Sequence, residues 1–182
     1  TEVYGNMKKY IIASIVGMGI MSGTVAHAAD NEVTFLGAVN TTTCNLTTSV
    51  NGAVQPNQVV QLGTVAVNQE GTPVNFAMKP ANPNDPGCKG LDASKTVTVS
   101  WASAALNADG FGATSGAATD ATVMVNNLNA KTPNKAVNVN ASTVEFSGDV
   151  LNTDGLKFQA KLKGGATEGD FKSVASFAVA YK

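Results

Sequence analysis

The C-terminal segment is the feature that most limits how this chain can fold. Residues 171–181 alternate between apolar and smaller or polar side chains, which predicts a β-strand with one apolar face. A strand at the end of a chain has no following strand to complete its pairing, so we expect a partner from elsewhere, including another molecule. Residues 33–39 show the same alternation near the other end. Two strand-like ends around a β-rich body are typical of a self-polymerising chain. The predicted apolar face of the terminal strand consists of Ala175, Phe177, Val179 and Tyr181.

Residues 7–28 have the pattern of a signal peptide. Met7 is followed by two lysines, residues 10–21 are largely apolar, and residues 26–28 read Ala-His-Ala, a cleavage site of small residues. The alternative is a membrane anchor, but the apolar run is shorter than the ~20 residues that a membrane span needs. We therefore expect cleavage after Ala28, with residues 1–6 as additional residues before the start.

Residues 29–182 have the length of one domain. The formal net charge of the whole chain is −1 and it contains no arginine, which argues against nucleic acid as a partner. Valine and threonine favour strands, whereas asparagine and glycine favour turns. Many short strand-like segments separated by such turns predict an all-β antiparallel sandwich or barrel.

Cys44 and Cys88 are the only cysteines. An even number of cysteines in an exported chain predicts a disulfide, the alternative being two free thiols. A disulfide would place the protein in the periplasm or beyond the cell.

The sequence offers little catalytic chemistry. Cleavage would remove His27, the only histidine, which leaves no histidine for a catalytic triad or a metal site. Asp149 and Asp154 lie in turn-like sequence and are interpreted as solvated, and residues 107–110 as a turn rather than a calcium loop. Trp101 is predicted to lie in the core. We therefore expect no enzyme activity, catalytic residue, metal site or cofactor.

Features at both ends of the chain resemble one family. Gly169 lies fourteen residues from the end, and Tyr181 is an aromatic penultimate residue. Residues 35–39 precede Cys44 by the family's usual interval, and Cys88 follows at a typical distance. In these features the chain resembles the structural subunits of chaperone–usher, type 1-like pili. It is most similar to the major pilins of colonisation fimbriae from enterotoxigenic enteric bacteria.

The resemblance implies an incomplete immunoglobulin-like sandwich that lacks its final strand. Residues 29–39 would be an N-terminal extension that completes a neighbouring subunit as a donor strand, and residues 40–182 would be the pilin domain. Glycine at position 37 would suit a shallow part of the groove, where two backbones approach closely. The alternative is that residues 33–39 pair within their own domain. The predicted donor-strand residues are Asn31 (at its far end), Val33, Phe35, Gly37 and Val39.

The resemblance also implies partners and a location. Neighbouring copies would form a helical homopolymer, a periplasmic chaperone and an outer-membrane usher would assist assembly, and a tip adhesin or minor subunits would join it. The product would be an adhesive fimbrium on the cell surface, contributing to virulence. The alternative is a minor or tip-associated subunit that binds a host glycan. Pairing with chaperone or donor strand would involve Gly169, Ala175, Phe177, Val179 and Tyr181.

Overall fold

A computed structural model of the chain describes residues 31–36 and 44–182. The predicted signal peptide, and Gly37 and Val39 of the predicted donor strand, lie outside the described residues. The strands are β1 (Asn31–Leu36), β2 (Leu46–Val50), β3 (Ala53–Gln55), β4 (Val59–Gln61), β5 (Val74–Pro80), β6 (Thr96–Ala102), β7 (Phe111–Gly112), β8 (Thr122–Asn127), β9 (Ala136–Val137), β10 (Thr143–Ser147), β11 (Leu156–Lys163) and β12 (Phe171–Tyr181). The helices are α1 (Pro86–Lys89) and α2 (Gly148–Thr153).

The strands form two sheets. The first has the order β10-β6-β12-β1-β4, and the second has the order β3-β2-β5-β11-β8-β7 with β9 beside β8. The pairs between these strands are antiparallel except for β1 with β12, which run parallel. The all-β, immunoglobulin-like antiparallel sandwich predicted from the sequence is therefore confirmed.

The core lies between the inner faces of the two sheets. In β11, Phe158 and Leu162 are buried while Lys163 is exposed, so the period of two in the sequence separates core from solvent. Trp101 on β6 is 4% exposed, which confirms its predicted core position. An aromatic cluster with ring centroids 4.8–5.7 Å apart fills the centre of the sandwich. Its members are Phe35, Phe76, Trp101, Phe111, Phe146, Phe158 and Phe177.

The segment from residue 148 to residue 154 differs from the turn that was predicted there. Asp149 lies in the first turn of α2, where a carboxylate favours the positive end of the helix dipole, and Asp154 is its C-cap. Leu151 is 1% exposed and anchors the helix to the core. A single buried apolar residue gives no periodicity to detect, so tertiary packing decides this helix.

The predicted disulfide between Cys44 and Cys88 is confirmed, with Cα atoms 4.7 Å apart and 44 residues between the two positions in sequence. Cys88 lies in α1, whose first turn is capped by the Asp85 carboxylate accepting from Gly87 N at 2.9 Å. The Asn152 amide of α2 donates to the carbonyl oxygen of Cys88 at 2.7 Å. The bridge therefore joins the segment just before β2 to α1, which is linked in turn to α2 through Asn152.

Candidate functional site

The candidate site is the space between β12 and β4 in the first sheet, which we call the groove. In this structure β1 of the same chain fills it. The register with β12 is parallel and runs from Asn31 opposite Phe171 to Leu36 opposite Ser176. The register with β4 is antiparallel and places Val33 opposite Val60. Residues 31–36 thus pair within their own domain here, while their role in a neighbouring subunit stays a prediction.

Two side chains of β1 complete the core. Val33 and Phe35 are both 0% exposed. The Phe35 ring centroid lies 4.8 Å from that of Phe76 and 4.9 Å from that of Trp101, so it bridges the two sheets. Burial of each such side chain contributes about 1.5–3 kcal/mol. Without a strand in the groove, the sandwich would expose part of its apolar centre.

The side-chain amide of Asn31, at the start of β1, makes hydrogen bonds to both neighbouring segments of the sheet. The Asn31 side-chain nitrogen donates to the carbonyl oxygen of Gly63 at 2.8 Å, just beyond β4. Its side-chain oxygen accepts from Phe171 N at 3.1 Å, at the first residue of β12. Asn31 therefore ties the two walls of the groove together at this end.

Gly169 has a backbone conformation that suits glycine. Its φ is +139°, and a Cβ built there would lie 2.5 Å from Cβ of Ala117. The next residue holds the same crossing segment, because Ala117 N donates to the Asp170 carboxylate at 3.2 Å and Ala118 N donates to the Asp170 carbonyl at 3.0 Å. The glycine fourteen residues from the end therefore allows two chain segments to cross closely just before β12.

Tyr181 fixes the other end of β12. It is half-buried, and its hydroxyl donates to the carbonyl oxygen of Cys44 at 3.0 Å. Burial raises the pKa of the phenol to about 12, because the charged form would lose its hydration. The penultimate aromatic residue thus connects the terminal strand to the disulfide.

We expect the Tyr181 phenol to titrate near pH 12, compared with 10.0 for an ordinary tyrosine. The raised pKa means that folding favours the neutral phenol. The stability that this phenol contributes is present below pH 10 and is lost as the pH rises through its folded pKa. Ultraviolet absorbance of protein beginning at Ala29 measures this cleanly, since Tyr181 is the only tyrosine after residue 28. Tyr181→Phe is the blank, and a midpoint near pH 10 while the fold is intact would contradict the burial.

The structure places the described part of the predicted site in one region. Phe35 lies directly opposite Ala175, whereas Phe177 and Val179 continue the buried face of β12 toward Tyr181. Sequence reasoning missed Val60, which is 0% exposed and forms the second wall of the groove. Val59 and Val60 are β-branched residues that favour a strand, but no local signal indicates which neighbour a strand takes.

The described residues contain neither a group of three or more His, Cys, Asp or Glu side chains that could hold a metal ion nor a helix long and apolar enough to cross a membrane. The chemistry that the groove offers is main-chain hydrogen bonding along β12 and β4 together with apolar burial. Such a site suits an extended peptide strand.

Comparison with known proteins shows the family of the chain. No protein-family profile matches the chain. It is 40% identical over 176 residues to the F107 fimbrial protein of Escherichia coli, an alignment that covers 97% of this chain and 100% of that protein. The chain belongs to the fimbrial proteins. This fimbrial protein is also 29% identical over 188 residues to the K99 fimbrial protein of Escherichia coli. That alignment covers 96% of this chain and 99% of the K99 protein. The predicted resemblance to fimbrial pilins of enteric bacteria is therefore confirmed, and the chain is a subunit of a cell-surface fimbrium.

Proposed function

We propose that this chain is the major, non-enzymatic structural subunit of an adhesive fimbrium and polymerises by donor-strand exchange. The observation that carries the proposal is the groove between β12 and β4, where Val33 and Phe35 of an N-terminal strand complete the core. A subunit whose core is completed by a detachable terminal segment can exchange that segment with a second copy.

The direction of β1 supports exchange. In an immunoglobulin-like sandwich the final strand runs antiparallel to its neighbour. β1 instead runs parallel to β12, so it occupies the position of the final strand but runs in the opposite direction. Alternate side chains face the core whichever way a strand runs. The same residues can therefore complete a neighbouring subunit in the antiparallel direction.

The length of the predicted donor segment also matches the length of the strand beside the groove. Residues 29–39 would form a strand of eleven residues, the same length as β12. The resulting contact joins the leading segment of one subunit to the groove of the next. Such a head-to-tail contact does not close on itself, so it generates a filament. A subunit with both a groove and a donor segment suits the shaft of a fimbrium, which favours this role over that of a glycan-binding tip subunit.

The assembly route follows from the same groove. We infer that a periplasmic chaperone occupies it during export by pairing with β12, that an outer-membrane usher exchanges the chaperone for the next subunit, and that a tip adhesin or minor subunits begin the filament. The disulfide supports passage through an oxidising compartment such as the periplasm.

Substituting Gly37→Arg tests the proposal. Position 37 continues the alternation of Val33 and Phe35, so an exchanged strand would direct its side chain into the groove. We expect the variant to be exported but to form no filaments, because the groove would have to accommodate a large charged side chain.

Electron microscopy of filaments sheared from cells, and SDS resistance of the polymer before and after boiling, measure the outcome. Ala38→Arg is the matched control, since position 38 lies on the opposite face of the strand, and it is expected to polymerise. Filaments of wild-type length from Gly37→Arg would contradict donor-strand exchange through this segment.

A further inference from the structure

We propose that Glu32, held by Lys172 and Gln61, retains β1 in the groove of its own subunit and thereby slows polymerisation. This inference rests on the proposed donor-strand exchange. We call the three residues the Glu32 cluster. Nothing in the predicted donor-strand pattern identifies this cluster, because its members lie on the outer face of the sheet rather than in the core.

The Glu32 cluster spans all three strands of the groove. Lys172 Nζ lies 3.0 Å from one carboxylate oxygen of Glu32, and Gln61 donates its side-chain amide to the other at 3.3 Å. Glu32 is directly opposite Lys172 on β12 and directly opposite Gln61 on β4. The Glu32 side chain is 15% exposed and that of Lys172 is 45% exposed. A partly buried, charge-assisted contact is stronger than a solvated surface ion pair.

The ion pair is specific for one direction and one register of the inserted strand. The other outer-face residues of β12 are uncharged, and Lys172 is at the N-terminal end of the strand. An antiparallel strand would carry its Glu32 toward Tyr181, on the order of 25 Å from Lys172 at ~3.3 Å per residue. A shift of one residue would turn Glu32 into the core. The Glu32–Lys172 pair therefore stabilises the self-inserted strand but not an antiparallel donor strand.

The strand pair β1 and β12 also contains buried hydroxyl groups that make no hydrogen bond among the described residues. Ser173 is 0% exposed and lies opposite Val33, and its hydroxyl has no hydrogen-bond partner among the described residues. Thr34, which shares the outer face of β1 with Glu32, also has a buried hydroxyl without such a partner in the described part of the chain. Unpaired buried hydroxyls disfavour the arrangement that contains them. Self-insertion thus combines apolar burial with two unpaired hydroxyls, and the Glu32 cluster adds the charged contact that favours this direction and register of β1.

The test uses purified, self-inserted subunit with the substitutions Glu32→Gln and Lys172→Gln. Hydrogen exchange at the β1 amides reports release of the strand, and light scattering reports polymer growth. We expect each variant to release β1 and to polymerise about three- to tenfold faster than wild type. The charge-exchanged double variant E32K/K172E is expected to return both rates toward wild type, since it restores an ion pair at the same place. Glu145→Gln, an exposed glutamate on β10 away from the groove, is the matched control.

The outcomes separate this inference from the proposed function. Equal β1 exchange in Glu32→Gln and Glu145→Gln would overturn retention by the Glu32 cluster. A polymer of Glu32→Gln that dissociates in hot SDS more readily than wild type would overturn the direction-specific role, because the cluster would then act between subunits as well. If no variant polymerises while Glu32→Gln still releases β1 faster, retention is supported and the proposed exchange is the part that fails.

Discussion

Phe35→Ala is expected to destabilise the isolated subunit by about 3–5 kcal/mol, the range for removing a large buried aromatic side chain. Phe35 is 0% exposed, and its ring packs between those of Phe76 and Trp101. Its truncation would leave a cavity between the two sheets at β1, the strand that we propose is exchanged. The free energy of unfolding from a denaturant titration measures the loss.

A peptide of residues 29–39 distinguishes groove filling from general damage to the core. Added to the Phe35→Ala subunit, this peptide is expected to recover most of the lost stability by replacing the defective β1. Phe146→Ala is the matched control, since Phe146 is also 0% exposed but belongs to β10, outside the groove. Equal failure of the peptide with both variants would contradict a groove that accepts this segment from another molecule.

Loss of the disulfide is the second large effect that we expect. Cys44→Ser should destabilise the subunit by about 2–5 kcal/mol, the usual range for a native disulfide. The bridge closes a loop between two cysteines that are 44 positions apart in sequence. The carbonyl oxygen of Cys44 also accepts a hydrogen bond from the Tyr181 hydroxyl. The variant should therefore loosen both the loop that contains β2 to β5 and the end of β12.

Denaturant titration of Cys44→Ser, with and without reductant, measures the disulfide effect. The double variant Cys44→Ser/Cys88→Ser is the control for the thiol left behind, and it should match the single variant within about 0.5 kcal/mol. Reduced wild-type protein should fall to the same stability. In cells we expect Cys44→Ser to reach the periplasm and to be degraded there, whereas normal accumulation and assembly would show that the bridge is dispensable.

Much of the fold could be predicted because its signals are local. Alternation in the segment that forms β12, and many short strand-like segments separated by turn-prone residues, predicted a sandwich, and two cysteines predicted one bridge. Helix α2 could not be predicted, since only Leu151 on its core side carries a strong apolar signal. The sequence showed a glycine at position 169 but not why glycine is needed there. The structure gives the reason, because φ at Gly169 is +139° and a Cβ would lie too close to Ala117.

The sequence by itself determined which side chains of the two terminal strands face the core, because a period of two fixes the face of a strand whatever its partner. It left open which molecule supplies the partner and in which direction the strand runs. The tertiary structure decided both for residues 31–36: the gap between β12 and β4 accepts them from the same chain, and Glu32 meets Lys172 only in the parallel register. Pairing partners are decided by the shape and charge of a groove that exists only once the two sheets have packed.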